Sequence, residues 1–190
     1  MPFEFTPLAI PDVILITAKQ FPDDRGFFME TYKETDFASN GITCNFVQDN
    51  YSRSTYGVLR GLHYQKDPDA QGKLVSVIKG KIYDVAVDIR QGSPHYGQCV
   101  GVELSDERPE LLWVPEGFAH GFCVLSDTVD FTYKCSSAEY APDTYRGIAW
   151  DDPDLNISWP IPNPNLSERD QTLPQLKDAD NNYEYTRIDE

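Results

Sequence analysis

An all-β barrel or sandwich is the fold this sequence predicts. Short runs rich in β-branched and aromatic residues succeed one another at brief intervals. Glycine and proline mark the turns between them, and no stretch holds a helical period for long.

Residues 13–18 (Val-Ile-Leu-Ile-Thr-Ala) open the series as a strand. Residues 21–26 read as a turn or loop, 27–32 as a second strand, and 33–41 as one or two helical turns ended by Asn40-Gly41. Residues 46–51 form a strand with three polar side chains in a row, Gln48, Asp49 and Asn50, which a wholly buried strand would not carry. The clearest strands are 73–78 and 81–89, expected as a hairpin about Gly80. Residues 97–104, 110–114, 121–125 and 128–134 continue the series. After Trp150 the character changes. Asp151-Asp152-Pro153 and the proline-spaced stretch 159–164 exclude interior strand or helix. Residues 151–190 are expected to wrap the barrel as a tail, packed by Trp159 and Ile161, with a frayed acidic end. The whole chain, 1–190, is expected to be one domain.

Composition narrows the function. Aromatic residues at 13% and a formal charge of -15 describe a globular chain without general affinity for nucleic acid or an anionic membrane. An anionic small ligand would need a local cluster of Arg and Lys. Cys44, Cys99, Cys123 and Cys135 are widely spaced, with no CxxC pair to indicate a zinc or redox site. The last three sit among strand-like neighbours and are expected to be reduced core residues. The N-terminus lacks a signal-peptide pattern and no run approaches a membrane span, so a soluble cytoplasmic protein is expected.

The chemistry centres on residues 57–65, Gly-Val-Leu-Arg-Gly-Leu-His-Tyr-Gln. In a regular strand Arg60 and His63 point to opposite faces. A twist or bulge at Gly61 brings both to one cavity. A cation beside a titratable imidazole suits proton abstraction next to a carbonyl. His120, in Pro115-Glu116-Gly117-Phe118-Ala119-His120-Gly121, falls where a barrel aims an imidazole into its mouth.

That last stretch resembles the second motif of the cupins, Pro-x-Gly-x-x-His. Metal-binding cupins carry two histidines and a glutamate in their first motif. Here His63 stands alone, Gln65 occupies the second position, and no glutamate follows before Lys73. No metal and no cofactor are therefore expected. Seven segments in order sharpen the resemblance: Asp24-Arg25-Gly26-x-Phe28-x-Glu30, Gln48-Asp49-Asn50, Leu59-Arg60-Gly61-Leu62-His63, Gly72-Lys73-Leu74-Val75, Pro115-x-Gly117-x-Ala119-His120-Gly121, Tyr133-Lys134-Cys135 and Leu166-Ser167-Glu168-Arg169-Asp170. Together they resemble the dTDP-4-dehydrorhamnose 3,5-epimerase family, in the nucleotide-sugar epimerase branch of the cupins.

The resemblance implies a cupin-type jelly-roll barrel with short helical segments, acting on dTDP-4-keto-6-deoxy-D-glucose. The C4 ketone acidifies the protons on C3 and C5. A base removes one, and an acid returns it to the opposite face. His63 matches the base, with Asp170 as its partner carboxylate. Lys73 matches the cation at the enolate oxygen, and Tyr133 the proton donor. Arg60 and His120 match further pocket residues. Arg25, Glu30, Gln48 and Asn50 match nucleotide contacts, Phe28 offers an aromatic face to thymine, and Arg169 is a second candidate for the diphosphate. Asp84 is a candidate support for Lys73. The resemblance also implies a two-fold homodimer whose early segment finishes the partner's site.

One position departs from the pattern. The family commonly has an acidic residue three positions after the proline matched by Pro142. Here it is Tyr145, with Asp143 nearby. Three alternatives stay open at this point: a relative inverting only C3 or only C5, a non-catalytic cupin that binds a sugar nucleotide, and a metal-dependent cupin enzyme.

Overall fold

Antiparallel pairing gathers most of the strand runs into two sheets that face each other. The computed structural model describes residues 2–186. In chain order the strands are β1 (Phe3–Pro7), β2 (Ile14–Ala18), β3 (Gln20–Asp23), β4 (Gly26–Met29), β5 (Phe46–Thr55), β6 (Leu59–Gln65), β7 (Lys73–Lys79), β8 (Lys81–Asp88), β9 (Cys99–Ser105), β10 (Glu110–Val114), β11 (Phe118–Val124), β12 (Thr128–Ser136) and β13 (Tyr145–Gly147). One sheet runs β1-β2-β10-β7-β12-β5 and the other β13-β6-β11-β8-β9. This is the all-β fold that the sequence predicts, in the jelly-roll form that the family resemblance implies. The helical segments are short: α1 (Glu34–Ala38) and two single 3-10 turns at Asp170–Thr172 and Leu176–Asp178. None of them is long and apolar enough to cross a membrane.

Strand alternation builds the interior. Val75 and Val77 of β7, Leu112 and Val114 of β10, and Val129 and Phe131 of β12 meet Ile82 and Ala86 of β8, Val100 and Leu104 of β9, and Phe122 and Val124 of β11. Continuing the same inward faces brings different chemistry. On β12, Tyr133 follows Phe131; on β7, Lys73 precedes Val75; on β11, His120 precedes Phe122. One end of the barrel is thus filled with hydrocarbon and the other is lined with polar groups around a cavity.

The tail covers the outer face of the five-stranded sheet. Leu62, Tyr64, Val85, Val87 and Ala119 pack there against Ile148, Leu155, Leu176 and Trp159. Ile161 is buried against Leu59 and Cys123. Lys66 and Arg146 both pair with Asp180, at 2.5 and 2.8 Å, and pin the chain beyond the second 3-10 turn. These contacts hold parts of the segment after Trp150 against the barrel; the acidic end expected to fray, residues 187–190, lies outside the described residues.

Three local expectations are corrected. Residues 73–78 and 81–89 form strands but not a hairpin: β7 pairs with β10 and β12, and β8 with β9 and β11. Gly80 carries the chain from one sheet to the other at φ +88°, and a Cβ there would lie 2.2 Å from the Thr128 carbonyl oxygen. Residues 21–26 are not simply loop, because β3 and β4 pair as a two-stranded ribbon turning at Asp24 and Arg25. Pro22 is tolerated because this ribbon has no third strand for its missing N–H to serve. The strand expected at 27–32 accordingly stops at Met29.

Candidate active site

The cavity depends on an irregularity in β6. Along β11, His120 pairs with His63 and Phe122 with Arg60, so three steps on β6 match two on β11. This is a bulge, and it breaks the alternation of faces. Arg60 and His63 consequently line the same cavity, as the glycine at 61 led us to expect. The backbones approach too closely for side chains: a Cβ on Gly61 would sit 2.5 Å from the Gly121 Cα.

The cavity has a volume of about 590 Å³ and takes its walls from both sheets. That is ample for a small ligand, since such sites run about 300–1,000 Å³. On the five-stranded side, His63 Nε2 lies 2.7 Å from Asp170 Oδ1. Asp170 opens the first 3-10 turn of the tail, and its backbone N–H donates to Ser167 Oγ at 3.1 Å. Burial pushes the Asp170 carboxyl up, but His63, Ser167 and the Gly61 amide outweigh it and hold the pKa below the usual range. Asp170 is then an ionised acceptor. Burial pushes the His63 imidazole down, and the Lys73 and Arg169 cations add to this; Asp170 opposes it without reversing it. A neutral His63 facing an ionised carboxylate carries its proton on Nε2. Its Nδ1 is left with a bare lone pair.

His120 is held in the same manner. Its Nε2 lies 2.8 and 3.0 Å from the two oxygens of the buried Asp84, and its ring stacks on Phe131 at 14°. Asp84 thus supports His120 directly; toward Lys73 it acts only as a nearby charge. Arg60 Nε donates to Ser54 Oγ at 3.0 Å.

The six-stranded wall is different. The Lys73 ammonium lies 5.9 Å from the centroid of the Tyr133 ring. Among the described residues Lys73 forms no ion pair. Burial lowers its pKa, opposed by Cys135 and Asp84. Burial raises that of the Tyr133 phenol, which therefore keeps its proton at neutral pH. Beside them Gln48 Nε2 donates to Asn50 Oδ1 at 2.9 Å, and Asn50 Nδ2 to the Cys135 sulfur at 3.4 Å. Cys135 is a free, buried thiol as expected, yet it also lines the cavity.

Nine of the twelve residues expected at the site line this cavity: Gln48, Asn50, Arg60, His63, Lys73, His120, Tyr133, Arg169 and Asp170. Arg25, Phe28 and Glu30 do not. They belong to the β3–β4 ribbon and its exit, where the Arg25 side chain is 90% exposed and paired with Asp23, and Phe28 is 66% exposed. Glu30 keeps one buried carboxylate oxygen with no partner among the described residues. Residues not anticipated there include Tyr140, Gln71 and Ser167, which line the cavity, and Asp84 as the partner of His120; Tyr145, noted in the sequence only as a departure, lines the cavity too. For Asp84 a signal was available: it shares strand parity with the inward-facing Ile82 and Ala86, so a carboxylate there had to be buried.

A base with an oriented lone pair, an unpaired ammonium and a protonated phenol, spread over two facing walls, can remove a proton beside a carbonyl and return it from the other side. Known proteins resemble this chain closely. The family model described as dTDP-4-dehydrorhamnose 3,5-epimerase matches residues 7–178. A protein of that name from Shigella flexneri is 54% identical, with 90% of this chain and 94% of that protein covered. Another from Pseudomonas aeruginosa is 52% identical, with 92% and 97% covered. The crystal structure of dTDP-6-deoxy-D-glucose-3,5-epimerase from Legionella pneumophila Philadelphia 1, in complex with dTDP-4-keto-L-rhamnose, superimposes with a TM-score of 0.89 at 47% identity, over 92% of this chain and 93% of that one. With barrel, cavity and sequence in accord over nearly its whole length, this chain belongs to the dTDP-4-dehydrorhamnose 3,5-epimerase family.

Proposed function

We propose that this enzyme inverts C3 and C5 of dTDP-4-keto-6-deoxy-D-glucose, giving dTDP-4-keto-L-rhamnose for dTDP-L-rhamnose synthesis. The observation that carries the mechanism is the His63–Asp170 pair on one wall, facing Lys73 and Tyr133 on the other. His63 Nδ1 takes the proton from the carbon next to the C4 ketone. The electron pair moves onto the ketone oxygen, and the resulting enolate is stabilised by the Lys73 ammonium. Tyr133 gives a proton to the opposite face of the same carbon. His63 then releases its proton to solvent and Tyr133 takes one back from solvent, and with base and acid restored the process repeats at the second carbon. Every step is a proton transfer, so electrons balance without an oxidant or a reductant.

Nucleotide binding completes the reading. Arg60 and Arg169 supply donors for sugar and diphosphate, His120 offers its other ring nitrogen to the sugar, and Gln48 and Asn50 supply amides. Arg25, Phe28 and Glu30 cannot serve their own cavity from the β3–β4 ribbon. In a two-fold homodimer the ribbon of one chain reaches the cavity of the other, which accounts for a ribbon with Phe21, Phe27 and Phe28 exposed.

The test is solvent exchange. Incubating the substrate with enzyme in deuterated water and following C3 and C5 by NMR should show deuterium at both positions, together with product. Exchange at one carbon alone would make this a single-site epimerase, and no exchange would leave a binding protein. For the shared site, an inactive Arg25→Ala chain mixed with an inactive His63→Ala chain should recover part of the activity. No recovery on subunit exchange would count against sharing.

A further inference from the structure

Among the cavity residues Tyr145 stands out, because its surroundings are charged while its own hydroxyl is idle. The Arg169 guanidinium lies over its ring at 4.1 Å. Arg169 Nη2 also donates to the Tyr145 carbonyl at 3.4 Å. The ring flanks His63, with centroids 5.2 Å apart, and meets the edge of Tyr140 at 5.5 Å. Among the described residues the Tyr145 hydroxyl has no hydrogen-bond partner, and Arg169 has no ion pair. Burial pushes the Tyr145 phenol up, so the ring stays uncharged.

A guanidinium at the edge of a cavity can be steadied in two ways. A carboxylate steadies it but consumes its donors and cancels its charge. An aromatic face steadies it and leaves the N–H edge free. Position 145 uses the second. We propose that Tyr145 is a positioning residue for the anionic part of the ligand: its ring seats Arg169 so that the guanidinium fork stays open to a diphosphate. The proposal rests on the nucleotide-sugar reading above. It also accounts for the arginine at 169, since a lysine ammonium has no planar face to lie on a ring and no fork to present.

The test is a double-mutant cycle read by titration with dTDP, with steady-state kinetics alongside. Arg169 is exposed at the cavity rim, so Tyr145→Leu and Arg169→Lys should each weaken dTDP binding about fivefold, the upper end for losing a cation–π contact at an exposed site. The double variant should bind about as the singles do, because both changes remove one interaction. Tyr145→Phe keeps the ring and should stay within about twofold of wild type. In Tyr145→Leu the KM should rise while kcat holds, whereas general disruption of the barrel would lower both. Losses that multiply in the double variant, a Tyr145→Leu chain that binds normally, or a Tyr145→Phe chain as impaired as Tyr145→Leu would each overturn the proposal. Wild-type proton exchange in the same preparation separates the two levels. If it is present, a negative cycle counts against Tyr145 alone. If wild type neither exchanges protons nor binds dTDP, the nucleotide-sugar reading falls and takes the proposal with it.

Discussion

The two walls of the cavity are built on opposite plans. On the five-stranded sheet each imidazole is tied to a buried carboxylate, His63 to Asp170 and His120 to Asp84. On the six-stranded sheet Lys73 and Tyr133 contact each other's periphery and otherwise face the cavity. The difference fits the role proposed for each group. A base works only in one tautomer and one orientation, and a carboxylate behind it fixes both before substrate arrives. A cation for an enolate works best when no resident anion competes for it. Its burial without a partner is costly in the empty enzyme, and under the proposed mechanism that cost is relieved as charge develops on the substrate oxygen.

The sharpest way to break this comparison is to remove the base. His63→Ala should lower proton exchange at both carbons by about 10²–10⁴, the usual contribution of a positioned base. The dTDP dissociation constant should be almost unchanged. Exchange at the wild-type rate would end the assignment. Lys73→Met comes next, with an expected loss of about 10²–10³ in kcat from removal of one preorganised charge. A KM effect alone would show instead that Lys73 merely binds the ground state. Tyr133→Phe should be smaller and different in kind. Abstraction by His63 continues, so deuterium still enters from solvent, but inversion falls by about 10² because the opposite face has lost its acid. If exchange and inversion fall together, Tyr133 is not confined to the second half of the step.

Much of the five-stranded wall could be read from the sequence, and the reasons are local. Gly61 between Arg60 and His63 announced a break in alternation, and the bulge that places both in the cavity is that break. The tail carboxylate needed the ordered motifs, because nothing near Asp170 in the sequence reveals that a 3-10 turn returns it to β6. The sheet assignment of β7 and β8 was hidden. A glycine between two strands serves a tight hairpin and a step between sheets equally well, and only the crowding of Gly80 against Thr128 distinguishes them. Tyr145 was visible only as a departure from the family pattern. Its contacts come from β13 lying beside β6 and from the tail, neither of which the local sequence specifies.

The subtlest contrast between the walls is in how each acts on the His63 proton, and it gives a prediction of sign. Burial lowers the imidazole pKa below its usual value of about 6.5. The rate should therefore rise with pH on an acidic limb centred below that value, and be flat at neutral pH, where the base is already unprotonated. Asp170 pulls the pKa up and Lys73 pushes it down. Asp170→Asn removes a negative charge that favours the protonated ring, so its limb moves to lower pH. Its plateau rate should also fall about tenfold, since the hydrogen bond orienting Nε2 loses its charged acceptor. Lys73→Met removes a positive charge that disfavours the protonated ring, so the limb of its residual activity moves to higher pH. The kcat/KM–pH profiles of the two variants, measured on the free-enzyme limb, should thus shift in opposite directions from wild type. Shifts in the same direction would mean that the limb reports another group, and that the two walls do not meet at His63.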